Sequence, residues 1–347
     1  MTLKLAEKGR STTSPNPMVG CIIVKRGKII GRGYHKKAGT DHSEIIALKQ
    51  AGKKAKNATM YVNLEPCSHW GKTPPCTEKI FEAGIREVVI SIPDPNPLVD
   101  GFKELKFRGI KAKIGILERE AKKLNESYIK YMRSKRPFTT LKVAMTLDGR
   151  IATSTGDSKY ITGTQARKYV HSVRHNSDAV LVGANTVKRD NPQLNSRLIG
   201  GNDPLKVIVD SKLKQNITGN IMNDPSKVIV ATTDNAPKKT IETLKKKGVS
   251  IITTKPKNGL VDMKSLMRTL ASMGIMNLLV EGGAEVNSTI LKEKLVDKMI
   301  IFTAPKIIGM GKGAIGNLGI TKINKAINLK ESSMTQIGKD VMVEGYL

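Results

Sequence analysis

Three short segments between residues 42 and 76 carry side chains that suit one metal site, and their convergence constrains the fold more than any other feature. They are His42-Ser43-Glu44, Pro66-Cys67 and Pro75-Cys76. One imidazole and two thiolates bind Zn²⁺ and leave the fourth tetrahedral position to water, which is typical of a catalytic zinc. Glu44 can move protons without ligating the metal. The sequence therefore predicts zinc bound by His42, Cys67 and Cys76, with Glu44 as general acid and base in the hydrolytic deamination of a nucleobase-like ring.

Each of these residues also has an ordinary interpretation. A single histidine is usually a surface or core residue, and a single buried cysteine usually packs in a core. The order His-x-Glu, Pro-Cys, Pro-Cys in a strand–helix context favours the metal site over coincidence. Cys76 is predicted at the start of a helix, where the helix dipole favours a thiolate. The third cysteine, Cys21, lies in an apolar run and is predicted to be a small core residue.

Composition limits the class of protein. The 347 residues are 39% hydrophobic and 26% charged, as in a globular protein of two domains. The net charge of +29 is spread evenly, and only 4% of residues are aromatic, so a lysine-rich surface is favoured over a nucleic-acid groove. The sequence has neither an apolar run long enough to span a bilayer nor a secretory signal. We therefore expect a cytoplasmic protein with no membrane or nucleic-acid partner.

Strand and helix signals alternate in both halves of the chain, which predicts an α/β fold. A basic, weakly periodic segment at 130–137 predicts a boundary between domains 1–137 and 138–347. The charged stretch 118–132 is predicted as one long helix. The other predicted helices are 42–54, 75–84, 164–175, 237–247, 262–273 and 284–293, and the predicted strands are 19–25, 28–34, 59–63, 86–92, 138–145, 178–183, 205–210, 226–232, 249–253, 276–281, 297–304 and 338–346.

The second half contains two glycine-rich segments. In the first, an apolar strand leads through Gly282-Gly283 into a helix, and such a turn presents backbone N–H groups to an anion. The second, Gly311–Gly316, matches G-x-G-x-x-G, but no convincing helix follows it, so a flexible loop is the better interpretation. We therefore expect phosphate or dinucleotide binding at the first segment.

Several motifs resemble one known family, the bifunctional deaminase/reductases of riboflavin biosynthesis. In the first half these are Ser14–Gly20 and the eleven-residue segment Pro66–Cys76. In the second half, Leu141–Arg150, Ser158–Thr162 and Val182–Val187 resemble the reductase domain of the family. The resemblance implies a cytidine-deaminase-like α/β/α domain followed by a dihydrofolate-reductase-like α/β domain.

The resemblance also implies a reaction and its ligands. A diaminopyrimidine ribotide, 2,5-diamino-6-(ribosylamino)-4(3H)-pyrimidinone 5′-phosphate, would be deaminated with zinc. NADPH would then reduce its ribosyl group to ribityl, giving 5-amino-6-(5-phosphoribitylamino)uracil. The choice of NADPH over NADH rests on the resemblance alone. A homo-oligomer is a further expectation.

Site residues follow from the resemblance by position. In the deaminase domain, the expected substrate contacts are Asn16, His35 and Lys72. In the reductase domain, Arg174 and Arg197 suit a phosphate clamp, although both are equally typical of surface ion pairs. The expected NADPH site is Ala144, Tyr160, Thr186, Asp190, Gly283, Ala284, Glu285, Val286, Asn287, Ser288 and Thr289, and the expected reductase substrate site is Ser158, Arg174, Leu194, Arg197 and Glu281.

Two other functions remain open at the level of sequence. One is a tRNA or polynucleotide deaminase with a basic accessory domain, which would show steeply salt-dependent RNA binding. The other is a non-catalytic module that binds zinc and a nucleotide. Glu44 beside an open zinc position weighs against the second, and the even spread of charge weighs against the first.

Overall fold

The computed structural model describes residues 1–70, 74–198, 201–214 and 217–347. The chain divides into two compact units, Met1–Lys135 and Arg136–Leu347. Each unit combines its own sheet with helices, so the predicted α/β class is confirmed. Within the described residues, every helix is too short or too polar to cross a membrane.

The N-terminal unit is built on a mixed five-stranded sheet. In chain order its elements are α1 (Thr2–Ala6), β1 (Gly20–Lys25), β2 (Lys28–Tyr34), α2 (Ser43–Ala51), β3 (Thr59–Leu64), α3 (Cys76–Glu82), β4 (Glu87–Ile92), α4 (Gly101–Phe107), β5 (Lys111–Ile114), α5 (Glu118–Leu124) and α6 (Glu126–Ser134). The strand order is β2-β1-β3-β4-β5. The pairs β1–β2 and β1–β3 are antiparallel, and the pairs β3–β4 and β4–β5 are parallel.

Helices cover both faces of this sheet, and the register of β1 shows how. Gly20 approaches α1, because a Cβ added to it would overlap the backbone of Thr2 and Ala6. Gly33 approaches α2 in the same way, and it is paired with Cys21. Since successive residues of a strand face opposite sides, α1 and α2 lie on opposite faces. The unit is therefore a three-layer α/β/α arrangement.

The predicted single helix at 118–132 is wrong, because the structure has two helices, α5 and α6, that meet at Asn125. Asn125 is 2% exposed. Its Oδ1 accepts the N–H of Met18 at 2.8 Å, and its Nδ2 donates to the carbonyl of Met18 at 2.9 Å. This contact with a residue 107 positions away holds Asn125 outside the helical conformation. A tertiary contact thus overrides the local preference for one long helix.

The C-terminal unit contains a nine-stranded sheet. Its elements are β6 (Phe138–Thr146), β7 (Arg150–Thr153), α7 (Thr164–His175), β8 (Ala179–Gly183), α8 (Ala184–Asp190), β9 (Leu205–Val209), β10 (Val228–Thr233), α9 (Lys238–Lys246), β11 (Ser250–Thr254), β12 (Pro256–Lys257), β13 (Leu260–Val261), α10 (Met263–Ser272), β14 (Asn277–Val280), α11 (Ala284–Lys292), β15 (Lys298–Ala304), β16 (Gly311–Gly313), β17 (Lys330–Ile337) and β18 (Asp340–Tyr346). The order is β11-β10-β9-β8-β14-β6-β15-β18-β17. The strands from β11 to β15 are parallel, and β18 and β17 add an antiparallel hairpin.

Apolar side chains of the central strands fill both faces of this sheet. Leu278 and Val280 of β14 belong to one buried cluster, and Leu279 belongs to another. Such near-continuous apolar runs are typical of parallel strands covered on both sides. The carboxyl ends of β6, β14, β8 and β9 consequently meet at one edge, which is where ligands bind in sheets of this type.

The segment Gly311–Gly316 differs from its sequence interpretation. Its first three residues form β16, which pairs with β7, so this part is a strand rather than a flexible loop. Within the described residues 217–347, no α-helix follows it, as the sequence indicated.

Candidate active sites

The structure brings the three predicted zinc ligands together. His42 is the N-cap residue of α2, Cys67 follows β3, and Cys76 is the first residue of α3. Their ligand atoms all lie within 4.8 Å of one another. The Nδ1 atom of His42 is 3.2 Å from Cys76 Sγ and 3.5 Å from Cys67 Sγ. A tetrahedral ion with bonds of about 2.0–2.3 Å separates its ligand atoms by roughly 3.3–3.8 Å, so both the donor set and its spacing suit zinc.

Close packing of α2 on β2 positions His42. Gly31 and Gly33 lie on the face of β2 that meets α2, where any side chain would overlap the backbone of Ala47 and Ser43. The start of α3 holds the second thiol in a similar way. The Cys76 N–H donates to Cys67 Sγ at 3.3 Å. Contacts from the Cys76 side chain, from His42 and from this N–H outweigh burial and lower the pKa of Cys67 to about 4. Cys67 is therefore prepared to ligate as a thiolate.

Glu44 lies in the first turn of α2, and its side chain is buried. Only 3% of the residue is exposed, and its Oε2 accepts a hydrogen bond from the Ser43 hydroxyl at 2.7 Å. Desolvation by burial raises the pKa of Glu44 above its ordinary value. A carboxyl group with a raised pKa takes up a proton more readily than a free one, which suits a general base that later acts as an acid.

The predicted substrate contacts Asn16 and His35 lie beside this cluster. Asn16 Nδ2 is 3.0 Å from His35 Nε2, and His35 Nδ1 is 3.2 Å from the carbonyl oxygen of Asp41. The His35 ring meets His42 edge-on at a centroid distance of 5.3 Å. Burial lowers the pKa of His35, so its neutral form donates from Nδ1 to Asp41 and accepts from Asn16 at Nε2. Lys72, the third predicted contact, lies outside the described residues.

A cavity of 1020 Å³ lies at the carboxyl edge of the C-terminal sheet, where the ends of β6, β8, β9 and β14 contribute to its walls. Three predicted residues are absent from the described lining: Tyr160, Ser288 and Arg197. The predicted cofactor residues that line the cavity are Ala144, Thr186, Asp190, Gly283, Ala284, Glu285, Val286, Asn287 and Thr289, and the predicted substrate residues are Ser158, Arg174, Leu194 and Glu281.

The three predicted residues outside the lining, Tyr160, Ser288 and Arg197, lie in different environments. Tyr160 is 63% exposed, and the guanidinium of Arg167 lies 4.3 Å from the centre of its ring. Ser288 is buried in α11, and its hydroxyl donates to the Ala284 carbonyl and accepts the Gly316 N–H. Arg197 is exposed. Ser288 thus supports the loop after β16, whereas Tyr160 and Arg197 are accessible from solvent.

Glu281, directly after β14, lines the cavity and forms ion pairs with two cationic side chains. Arg174 Nε donates to its Oε1 at 2.6 Å, and Arg174 Nη2 donates to its Oε2 at 3.0 Å. Lys142 Nζ donates to Oε2 at 2.9 Å. Burial alone would raise the pKa of Glu281, but the two cations outweigh it and hold the pKa well below its usual range. Glu281 is therefore ionised, and its orientation is fixed by two elements, β6 and α7.

Sequence reasoning missed Lys142, although a lysine within the apolar run of β6 was a usable signal. It also missed Ser211, Lys212 and Lys214, which follow β9 and line the far end of the cavity. Nothing in the local sequence at these three positions distinguishes them from an ordinary polar loop.

The predicted anion-binding turn lies between Lys142 and these residues. A Cβ added to Gly282 would lie 2.6 Å from Val286 Cβ, so glycine is required for α11 to approach the turn. Gly283 is the N-cap residue of α11, whose first backbone N–H groups are free to meet an anion. A cavity of this size with a glycine turn at its centre suits a dinucleotide such as NADPH.

Two family models and several known proteins match this chain. Residues 1–92 match the family model of the cytidine and deoxycytidylate deaminase zinc-binding region, and residues 137–343 match that of the RibD C-terminal domain. The riboflavin biosynthesis protein RibD of Aquifex aeolicus is 42% identical over 99% of this chain and 96% of its own length. The chain belongs to the RibD family. RibD of Escherichia coli is 38% identical over 98% of this chain and 95% of its own length.

Solved structures of the family share the fold. Acinetobacter baumannii RibD, at 39% identity, superposes with a TM-score of 0.91 over 99% of this chain and 96% of its own. A deaminase/reductase from Thermotoga maritima, at 38% identity, gives 0.88 over the same shares. The implied cytidine-deaminase-like and dihydrofolate-reductase-like domains are thus confirmed. The protein is a bifunctional enzyme of riboflavin biosynthesis that deaminates a pyrimidine ribotide with zinc and reduces it with NADPH.

Proposed function

We propose that deamination takes place in the unit Met1–Lys135 and reduction in the unit Arg136–Leu347, each with its own set of side chains. The observation that supports this division most strongly is the convergence of His42, Cys67 and Cys76 within 4.8 Å. The buried Glu44 lies beside them in the first unit. The second unit holds a separate cavity with an ionised glutamate in its wall.

In the first unit, His42, Cys67 and Cys76 hold zinc, which when bound supplies Lewis-acid activation of a water molecule at neutral pH. Glu44 accepts the proton that the water loses, delivers it to the ring nitrogen of the pyrimidine and then helps to protonate the leaving ammonia. Its buried position and raised pKa suit both directions of transfer.

The same unit orients the pyrimidine ring through Asn16 and His35. His35 accepts the Asn16 amide N–H and is itself fixed by the Asp41 carbonyl, so the side chain of Asn16 has one orientation. The Asn16 carbonyl oxygen then faces a ring N–H of the substrate. Lys72, in the segment between the two cysteines, binds the phosphate of the ribotide.

In the second unit, the turn Gly282-Gly283 and the start of α11 bind the cofactor, and NADPH when bound supplies the hydride for reduction at C1 of the ribosyl group. Glu281 contacts the ribosyl group as a fixed, ionised acceptor. Lys142 and Arg174 position its carboxylate, and Arg174 retains donors for the substrate phosphate. Ser158, Leu194 and Arg197 complete the substrate site.

The test supplies the diaminopyrimidine ribotide and NADPH together and follows both ammonia and the absorbance of the nicotinamide. Glu44→Gln should abolish ammonia release while retaining one equivalent of zinc, because glutamine keeps the shape and loses the proton transfer. Ser43→Ala, which removes only the hydroxyl that contacts Glu44, is the matched control and should keep most of the activity. Undiminished ammonia release in Glu44→Gln would refute the assignment.

The finer statements about partners are also proposals. We infer that the protein is a cytoplasmic homo-oligomer without a nucleic-acid partner. Sedimentation of the full chain at several concentrations tests the oligomer, and a filter-binding titration with tRNA at two salt concentrations tests the absence of an RNA partner.

A further inference from the structure

The segment Leu194–Arg197 of the C-terminal unit has an unusual backbone. Leu194 and Arg197 have φ angles of 54° and 53°, in the left-handed region that residues with a Cβ normally avoid. Leu194 is 3% exposed, packs in the apolar cluster that includes residues of β8 and β9, and lines the cavity. Strained conformations of this kind persist only where surrounding contacts enforce them. The segment therefore needs contacts that hold its backbone in place.

Asp203, two residues before β9, holds the segment through Ser196. Its Oδ1 accepts the N–H of Ser196 at 2.8 Å and the hydroxyl of Ser196 at 2.9 Å. Ser196 is 1% exposed, so water has little access to these two bonds. Because Ser196 directly precedes Arg197, a fixed Ser196 backbone also fixes the direction in which the Arg197 side chain leaves the chain.

Helix α7 contacts the same segment at Asn195. The carbonyl oxygen of Asn195 lies 3.3 Å from His171 Nδ1 and accepts a longer hydrogen bond, of 3.4 Å, from Arg174 Nη1. Since a carbonyl oxygen can only accept, His171 carries a proton on Nδ1. Arg174 also donates to Glu281. The segment is therefore connected to the ion pairs in the cavity wall.

Asp203 acts at a distance from the cavity. Leu194 is among the described residues that line it, whereas Asp203 and Ser196 are not. Any effect of Asp203 on a ligand in the cavity must therefore pass through the segment that it holds. Both groups that donate to Asp203 are neutral, so the contact requires an oxygen acceptor rather than a negative charge.

We propose that Asp203 is a positioning residue of the reductase, which holds the segment in the conformation that presents Leu194 and Arg197 to the pyrimidine ribotide. The proposal rests on the substrate contacts of Leu194 and Arg197 given under the proposed function. Without the two bonds to Ser196, the segment relaxes from its left-handed conformations, and only a fraction of the molecules can bind the ribotide. The apparent affinity falls by that fraction, whereas saturating ribotide selects the competent conformation and restores the rate.

Steady-state reduction of the deaminated ribotide by NADPH tests the proposal. Asp203→Ala should raise KM for the ribotide about tenfold and change kcat and the KM for NADPH less than about twofold, because it loses two hydrogen bonds outside the cavity. Asp203→Asn keeps an oxygen that can accept both bonds, so its KM should stay within about threefold of that of the unmodified protein. Asp224→Ala is the control. Asp224 Oδ1 also accepts a serine hydroxyl, that of Ser226 at 2.6 Å, and Asp224 is absent from the described lining of the cavity, so KM should not change.

A double variant separates this contact from a general loss of stability. Ser196→Ala removes one of the two bonds and should raise KM about threefold. Adding it to Asp203→Ala should have no further effect, since both substitutions act on one contact. An unchanged KM in Asp203→Ala overturns the proposal. A lower kcat with an unchanged KM does so as well, because it would mean that Asp203 only stabilises the fold.

Arg197→Ala distinguishes failure of this proposal from failure of the proposed substrate site. If Arg197→Ala raises KM for the ribotide and Asp203→Ala does not, positioning by Asp203 is wrong and the substrate site stands. If neither Arg197→Ala nor Leu194→Ala alters KM, the substrate site is wrong and the proposal fails with it.

Discussion

Replacing Glu281 by glutamine removes the negative charge of this side chain and keeps its size, so the substitution measures what the charge contributes to stability. Glu281 accepts three hydrogen bonds of 2.6 to 3.0 Å from Arg174 and Lys142. Its side chain is 8% exposed, and those of the two cations are 14% exposed. Glutamine keeps the size and one acceptor oxygen, but its NH₂ group faces a cation. Two poorly hydrated positive charges would then lie close together without a counter-charge.

The size of the effect follows from this burial. Removing one partner of a buried ion pair costs about 3–5 kcal/mol, because the remaining charge stays desolvated. The cavity gives water some access to Arg174 and Lys142, so we expect the lower end, about 3 kcal/mol. That loss corresponds to a roughly 150-fold increase in the unfolded fraction of the unit Arg136–Leu347.

Hydrogen exchange followed by mass spectrometry resolves this unit from the other one. Peptides from β6, β8 and β14 should exchange about 150-fold faster in Glu281→Gln, because their amides open only with the whole unit. Peptides from β1, β3 and β4 should be unaffected. Glu293→Gln is the matched control, because its partner Lys257 also lies 2.6 Å away but has a side chain that is 49% exposed, so the cation left behind stays hydrated. Exchange in the control should change less than about threefold.

The stabilisation by Glu281 depends on pH in a direction that follows from its pKa. The pKa of Glu281 in the folded state lies below its usual 4.5. Its ionisation therefore stabilises the fold fully above about pH 4.5, and this contribution is lost as the pH falls from there toward the folded-state pKa. The difference in unfolding free energy between the protein and Glu281→Gln should be constant from pH 7 to 5 and decrease below. A difference under about 1 kcal/mol at pH 7, or one that grows on acidification, would refute the reasoning.

Two further predictions concern the N-terminal unit. Cys67→Ser should lower the zinc content, measured by elemental analysis, and abolish ammonia release. The rate at which the deaminated substrate is reduced should change less than about twofold, because the reductase cavity shares no described residue with the zinc cluster. Loss of both activities would show that the two units depend on each other. Asn125→Ala should destabilise the unit by about 2–3 kcal/mol, because two hydrogen bonds to the Met18 backbone are lost in a buried place. Hydrogen exchange of the β1 and β3 peptides measures this loss of stability. Unchanged protection of these peptides would contradict the claim that the contacts between Asn125 and Met18 stabilise the unit.

The zinc cluster was predictable because its ingredients are rare and chemically specific. The chain has 3 cysteines and 5 histidines, so two Pro-Cys pairs and a His-x-Glu in order carry much information. Most strands and helices were equally accessible, since their apolar periodicity is local. The deaminase site therefore combines scarce residue types with ordinary secondary structure, and both can be recognised without knowledge of tertiary contacts.

Features that depend on contacts between distant segments were not accessible in this way. The break between α5 and α6 requires Met18, which is 107 positions from Asn125. The sequence around 118–132 has good helix formers throughout, so its local preference was misleading. The exposed strand β17 was missed for the opposite reason, because its residues lack an alternating apolar pattern.

The contact between Lys142 and Glu281 shows how register determines a site. In the parallel pair β6–β14, Leu141 is the partner of Val280. The next residue on each strand is Lys142 and Glu281, so the register alone brings an ammonium group beside a carboxylate 139 positions away. A shift by one residue would place Lys142 on the opposite face and leave Glu281 with Arg174 alone. The charge state of Glu281, and with it the contact proposed between Glu281 and the ribosyl group, thus depends on strand pairing that no local motif specifies.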